Sequence, residues 1–509
     1  MPLPATPLET KARLIVGMEI HVELATRTKM FTAAPNIAYP AYYDNEPNTL
    51  LDPVVVGMPG VLPVINGRAV EKSILVGLAL NCRIASFTKW DRKSYYYPDL
   101  PKNYQISQYD EPLCLGGALK IPLDDEPDGP AKTIRIIRAH LEEDAGKLMH
   151  EAPGGRPIDH SIVDLNRAGT PLLEIVTHPD FETPEEVVTF AQMLRQICRH
   201  LGVSECIMQR GHMRFEPNIN VAIEKGGTEY LTPIVEIKNL NSFKALEGAV
   251  RYEFERQVDE WQETGRTVES GAKSTRGWDD NRQVTVLQRE KEEAHDYRYF
   301  PDPDLVPLRI SNEWVAEIRN RMPELPFDRE HRYIGELGLN PKDTASFIED
   351  PRLCDFLESI LAEGVEPSRA AAVLLNYGAR RANERSCSTA DLGIRPAQIK
   401  QIVDLADADK IGSSAADDLF GYCCDEPSRT AEQLAEEHNL LQVSDTGALE
   451  GFIDAVLADD KNARAIADIK AGKNKAIGAL MGQIMKQSKG KANPKLVTEL
   501  IKAKVQELS

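Results

Sequence analysis

The chain lacks any run of about 18 consecutive apolar residues, the length a helix needs to cross a bilayer. Its start, MPLPATPLETKARLIVGMEI, has no basic stretch followed by an apolar one, so no secretory leader is expected and the reading is a cytoplasmic protein. Cysteine is sparse, with eight in 509 residues and no CxxC spacing, which excludes a disulfide framework and a paired-CxxC zinc site. These cysteines read as reduced packing residues, and the adjacent Cys423 and Cys424 are only a faint zinc signal. Neither GxxxxGK[ST] nor GxSxG occurs, and no cysteine sits in a nucleophile signature. AGKNK around Lys473 has neither the first glycine nor the hydroxyl of a P-loop. Internal repeats and long disordered tracts are absent as well.

Positive charge is scarce overall, with a formal net charge of -19, which argues against a chain that coats nucleic acid everywhere. The distribution is uneven. From Lys461 onward eleven Lys and Arg face three acids, a local balance of +8, which leaves -27 on the first 460 residues. A basic tail on an acidic body suggests a polyanion held at one end, with a merely solvated surface as the alternative. A 42% hydrophobic content over this length is enough for a sizeable core and roughly two to four domains.

Up to about residue 310 the sequence mixes alternating strands with a few helices and reads as α+β. TPEEVVTFAQMLRQICRHLG predicts a helix with Thr183 as N-cap, Pro184 in the first turn, Glu186 completing a capping box and Gly202 as the stop. SFKALEGAVRYEFERQVDEWQETG predicts a second, with a stripe of Phe243, Leu246, Val250, Phe254, Val258 and Trp261 before Gly265. Both should lie on a sheet. After PDPDLVPL the strand signals fade, and residues 311–438 read as a separate all-α domain. The tail, 439–509, carries short helical patterns broken at Gly472 and Gly490, with Asn493 and Pro494 opening the last helix.

Five segments gather polar groups that could carry chemistry. In GMEIHVEL, Met18, Ile20, Val22 and Leu24 alternate with Glu19, His21 and Glu23, so three ionisable groups share one strand face. Same-face neighbours sit roughly 6.5 to 7 Å apart, near enough to share a cation; a half-solvated edge strand is the other reading. RAHLEEDAGK places His140, Glu142, Glu143 and Asp144 together, either as a hard-cation site or as a charged turn. VDLNRAGTPLLEIV embeds Asp164, Asn166, Arg167 and Glu174 among strand-like apolar residues, and Glu174, between Leu173 and Ile175, would be costly there without a partner. MRFEPNINV alternates Arg214, Glu216, Asn218 and Asn220, and HDYRYFPDPD gathers Asp296, Arg298, Asp302 and Asp304 around aromatics. Together they suggest a cleft rich in carboxylates and poor in thiols, which suits Mg²⁺ carrying phosphate oxygens better than catalytic zinc. KWDRKSYYYPDLPKNYQISQ sets Arg92, Lys93, Asp99 and Lys102 among Tyr95, Tyr96, Tyr97 and Tyr104, and could wall a site, stack on a ligand or be a plain exposed strand.

The chain resembles the GatB family, the B subunits of tRNA-dependent amidotransferases. The motifs that carry the resemblance are GMEIHVEL, DRKSYYYPDLPKNYQISQ, RAHLEEDAGK, VDLNRAGTPLLEI, VEIKNLNSF and DYRYFPDPDLVPL, in that order over about the first 310 residues. NKAIGALMGQIMKQSKGKANPKLV is similar to the family's YqeY-like C-terminal domain. The resemblance implies an α+β cradle domain with a glutamine-synthetase-like core over 1–310, a helical domain over 311–438 and a mobile YqeY-like tail over 439–509 that engages tRNA. It implies ATP and Mg²⁺ as cofactors. It also implies a mechanism in which the side-chain carboxylate of a misacylated Glu-tRNA(Gln) or Asp-tRNA(Asn) attacks the γ-phosphate of ATP, and ammonia then displaces phosphate from the acyl phosphate.

Carried over by position, the magnesium ligands fall on Glu19, His21, Glu143 and Glu174. The family often reads RCD where this chain has Arg214, Phe215 and Glu216, so a cation contact at Glu216 keeps its charge but reaches one methylene further. The resemblance makes Glu19, Glu143, Lys93 and Lys102 the catalytic set, with Tyr95 and Lys102 in the stretch associated with an ammonia path and its gate. No activated glutaminase nucleophile is recognisable here, so a GatA-like amidase should supply ammonia and a small GatC-like subunit should clasp the pair. Lys473, Lys475, Lys486, Lys489 and Lys491 form the acid-free basic cluster expected to contact tRNA phosphates. Two rivals are a free-standing Mg²⁺-dependent phosphotransferase or ligase on a small molecule, which the basic tail disfavours, and a non-catalytic tRNA adaptor, which the clustered carboxylates disfavour.

Overall fold

A computed structural model describes residues 11–124, 129–152, 156–269, 273–291, 297–442, 446–471, 473–488 and 492–507. The protein is mixed α/β and divides into two compact units, Met1–Pro326 and Phe327–Ser509. None of its described helices is long and apolar enough to cross a membrane.

The first unit is organised by one long strand, β1 (Lys11–Glu23). Leu14, Val16, Met18, Ile20 and Val22 are buried on one face, and Leu24, just beyond the strand, is buried with them. Each such burial contributes about 1.5 to 3 kcal/mol. β1 is not an edge strand. The other strands that matter are β2 (Asp91–Ser94), β3 (Tyr104–Ser107), β4 (Ala131–Glu143), β5 (Pro171–Thr177), β6 (Met213–Lys225), β7 (Val235–Lys238), β8 (Lys273–Asp279), β9 (Val284–Lys291) and β10 (Phe300–Pro301). They lie in the order β9-β8-β7-β6-β1-β5-β4-β3-β2-β10, the main path of a 14-stranded sheet in which β1 is central. Every pairing along this path is antiparallel except β7 with β8.

Three helices, α1 (Gly67–Ala79), α2 (Pro184–His200) and α3 (Phe243–Thr264), join one face of the sheet in a single apolar core. α1 comes so near the chain at Cys114 that a Cβ on Gly77 would sit 2.5 Å from the Cys114 sulfur, so this close approach requires glycine. The cap expected at Thr183 is present, its hydroxyl accepting from Glu186 N at 3.1 Å. The Glu186 carboxylate reaches past the cap residue and accepts from Glu182 N at 2.8 Å, one position earlier than a capping box requires. α3 starts on Ser242, which accepts from Ala245 N at 3.0 Å, and ends at Gly265 with φ 68°. Its buried face differs from the expected stripe. Phe254 and Val258 are only partly buried, while Glu253 and Gln257 are almost fully enclosed.

The second unit is built of helices, and Pro341, Pro351, Pro367, Pro396 and Pro494 each begin one, where proline's missing N–H costs nothing. It holds two separate apolar cores, one drawn from Tyr333 to Ala435 and one from Leu449 to Val505.

Candidate active site

The face of the sheet opposite the helices forms a polar cleft of about 410 Å³. Strand parity explains its lining. The apolar positions of β1, β4, β5 and β6 are committed to the core, so the alternate positions must face the other way. Those positions carry Glu19 and His21 on β1, His140 and Glu142 on β4, Glu174 on β5, and Arg214 and Glu216 on β6. The register then sets neighbours: His21 lies opposite Glu174 and Arg214, Glu174 opposite His140, and Glu19 opposite Glu216.

At the floor, His21, Glu142 and Glu174 each offer a ligand atom within 4.8 Å of the others. His21 Nε2 is 3.5 Å from Glu174 Oε2 and 3.8 Å from Glu142 Oε1, and His140 Nε2 is 3.4 Å from Glu174 Oε2. Burial opposes charge here, so the electrostatics depend on the neighbours. Burial alone would raise the Glu174 carboxyl, but His140, His21 and Lys93 outweigh it and hold it well below the usual range. Burial also works against an imidazolium at His21, yet the Glu174 carboxylate beside it pushes the ring up to about 9. His140 gains less from Glu174 than burial costs it and falls to about 4. Burial raises Glu142, and burial with the nearby Glu174 raises Glu19.

A hard divalent cation fits this donor set. Two carboxylates and an imidazole converge without thiols, and a bound cation would take the place of the proton that His21 holds in its absence. Furthermore, four lining residues, His21, Arg138, His140 and Arg214, each keep a buried nitrogen without a hydrogen-bond partner. The two arginine Nε–H groups among them are donors, which suit an anion beside the cation rather than the cation itself. Around the floor stand six cations, Lys93, Arg138, Arg214, Lys238, Lys273 and Arg289.

The residues expected at the site divide. Glu19, His21, Glu174 and Glu216 share the cleft, as does Lys93. Glu19 accepts from Asn218 Nδ2 at 3.1 Å, and Glu216 is held by Lys238 Nζ at 2.5 Å, which also pairs with Glu236 at 2.9 Å. Glu143 is absent from the cluster. Next to Glu142 on the strand, it projects to the opposite side, where it pairs with the Lys102 ammonium and accepts from Ile106 N at 3.0 Å. Tyr95 stands close by, its hydroxyl 3.3 Å from Gln105 Oε1, and Gln105 Nε2 donates to the Glu143 carbonyl at 2.6 Å. Of the two neighbours it is Glu142, and not the Glu143 named by the carry-over, that stands in this cluster, in keeping with the alternation set by Ala139 and Leu141. Asn166 is architectural, accepting from Thr49 N at 2.9 Å and Leu50 N at 2.8 Å. Asp302 and Asp304 hold Arg92 at 2.8 and 3.1 Å. In the tail Lys473, Lys475 and Lys486 are exposed, and Lys473 pairs with Asp468 at 3.0 Å. Lys489, Lys491 and Asp296 lie outside the described residues.

Residues 14–316 match the family model described as the GatB/GatE catalytic domain, and residues 355–505 match that described as the GatB domain. Among similar proteins, the B subunit of the aspartyl/glutamyl-tRNA(Asn/Gln) amidotransferase of Carboxydothermus hydrogenoformans is 43% identical, across 97% of this chain and 99% of that protein. The B subunit of the same amidotransferase from Thermoanaerobacter pseudethanolicus is 42% identical over the same shares. That from Geotalea daltonii is 43% identical, again over 97% and 99%. With the catalytic-domain match spanning more than half its length and such relatives spanning nearly all of it, the chain belongs to the GatB family of amidotransferase B subunits.

Proposed function

We propose that the cleft uses ATP and Mg²⁺ to activate the side-chain carboxylate of a misacylated Glu-tRNA(Gln) or Asp-tRNA(Asn) for amidation. As a GatB-family subunit the chain works within a tRNA-dependent amidotransferase, a glutamine-hydrolysing ligase that forms carbon–nitrogen bonds. The observation that carries the finer reading is the convergence of His21, Glu142 and Glu174 on one point of a cation-lined cleft. These three would hold the metal, with Glu19 and Glu216 lining the same face. A divalent cation there supplies charge that offsets phosphate oxygens otherwise repelled by the carboxylates. The chain's own cations do the rest: Lys93, Arg138, Lys238, Lys273 and Arg289 can pair with polyphosphate oxygens and orient the γ-phosphate toward the attacking carboxylate. The acyl phosphate so formed yields the amide when ammonia displaces phosphate.

Ammonia comes from elsewhere in this reading, because no activated nucleophile of a glutaminase is recognisable in the chain. A GatA-like amidase would supply it, a GatC-like subunit would clasp the two, and the Lys102–Glu143 pair with Tyr95 would border the path. The tail would bind tRNA, in the cytoplasm. The test is a complex reconstituted with amidase and clasp subunits and assayed on both misacylated tRNAs. Amidation should require ATP and Mg²⁺ and persist with free ammonium when the amidase nucleophile is removed. The isolated chain should release no ammonia from glutamine. Amidation without ATP, or glutaminase activity from this chain alone, would overturn the reading.

A further inference from the structure

Tyrosines form a continuous file at the β2–β3 end of the cleft, and the reaction above gives most of them no task. Tyr95 meets Tyr297 edge-on at 6.1 Å, and Tyr297 meets Tyr299 edge-on at 6.1 Å. Tyr299 lies flat against Tyr109, their centroids 4.2 Å and their planes 9° apart. The backbone fixes both members of this last pair. Tyr109 follows β3, its N–H donating to Asp91 Oδ2 at 3.3 Å, and Tyr299 precedes β10, in a segment anchored by Ser94 N donating to the Tyr297 carbonyl at 2.9 Å.

Packing does not explain Tyr109, a residue 52% exposed and outside the apolar core. A flat pair with one residue half open to solvent is instead the arrangement that offers a π-face to a planar ligand. Its position narrows the choice. Tyr109, Tyr297 and Tyr299 line the same cleft as the carboxylate cluster. Lys93 connects wall and floor, its Nζ 5.1 Å from the Tyr297 ring centre and its charge favoured by Glu142 and Glu174. An aromatic wall beside a cation-rich floor matches the two ends of a nucleotide, base and phosphate.

We propose that Tyr109, backed by Tyr299, stacks an adenine ring at this rim. The inference rests on the function proposed above, whose reaction brings in two adenines: that of ATP and that of the 3′-terminal adenosine carrying the amino acid. The test uses the reconstituted complex with Tyr109→Ala and Tyr109→Phe, because phenylalanine keeps the π-face and loses the hydroxyl. Two probes separate the sources: 2-aminopurine riboside triphosphate, and tRNA with 2-aminopurine at its 3′ end, both dimmed by stacking. One of them should be quenched by the wild type and by Tyr109→Phe but not by Tyr109→Ala. The matching KM, for ATP or for misacylated tRNA, should rise roughly tenfold in Tyr109→Ala alone. Quenching in neither arm, equal damage from Phe and Ala, or constants unchanged in Tyr109→Ala would overturn the stacking role. If the wild-type complex shows no ATP-dependent amidation, the underlying reading fails with it.

Discussion

Between Leu141 and Asp144 the chain sets two carboxylates side by side, and the pleat of β4 sends them to opposite faces of the sheet. Glu142 joins His21 and Glu174, whereas Glu143 meets Lys102. Their glutamine variants should therefore fail differently. Glu142→Gln removes charge from the proposed metal site, so the Mg²⁺ concentration needed for half-maximal amidation should rise at least tenfold. Glu143→Gln should leave that requirement within about twofold and instead weaken coupling between glutamine hydrolysis and amidation, because the ion pair it breaks lies off the cluster. A Mg²⁺ titration of both variants, with glutamine and then with ammonium as nitrogen source, checks this. An unchanged Mg²⁺ requirement in Glu142→Gln would remove that residue from the site. His21 is legible in the sequence because it alternates with apolar residues beside Glu19 and Glu23, and Glu174 because it is the one ionisable residue in an apolar strand. The choice between 142 and 143 is harder to read, since three acidic residues in a row, Glu142, Glu143 and Asp144, hide the parity that Ala139 and Leu141 set.

At the scale of elements, α3 shows what periodicity reads and what it misses. Its ends are legible, because Ser242 and Gly265 are chemically suited to cap and stop a helix. Its buried face is not, because an apolar stripe cannot reveal a buried ion network. Glu253, fully enclosed, accepts from Arg256 at 2.9 Å and Gln257 at 3.2 Å, takes a further bond from the Thr285 hydroxyl, and pairs by charge with Arg276, whose Nε lies 3.2 Å away and donates to Thr285. Arg276 and Thr285 come from β8 and β9, so this one carboxylate ties the helix to the end of the sheet. Glu253→Ala should strip the half-buried Arg276 of the carboxylate it pairs with, while Arg256 keeps Glu260, and cost about 3 kcal/mol. Ser242→Ala, which deletes a single cap bond, should cost about 1 kcal/mol. Denaturant melts of the chain, followed through Trp261 and Trp278 of the same unit, give the ranking. A Glu253→Ala loss no larger than that of Ser242→Ala would mean the network is dispensable.

For the whole molecule, the charge asymmetry seen in the sequence acquires a structural meaning. The basic tail has its own apolar core, drawn from Leu449 to Val505, while Leu440 and Leu441 still pack against the preceding helical core. A cut after Gln442 should therefore remove the tail and leave the earlier core intact. Lys475 and Lys486 stay exposed on the tail, in a chain whose first 460 residues are strongly acidic. Each phosphate they engage releases condensed counterions, so affinity falls with salt by about 0.7 to 0.9 in slope per phosphate. Truncation should weaken tRNA binding and flatten its salt dependence by roughly that amount for each phosphate the tail no longer holds. The cleft lies wholly in the first unit, so Mg²⁺ binding and glutamine hydrolysis by the complex should survive. Filter binding across a salt series, with full-length and truncated complexes compared, measures both affinity and slope. If the two slopes coincide, the tail is a solvated appendage and the tRNA is held elsewhere. Lost Mg²⁺ binding would instead show that the cleft depends on the tail for its fold.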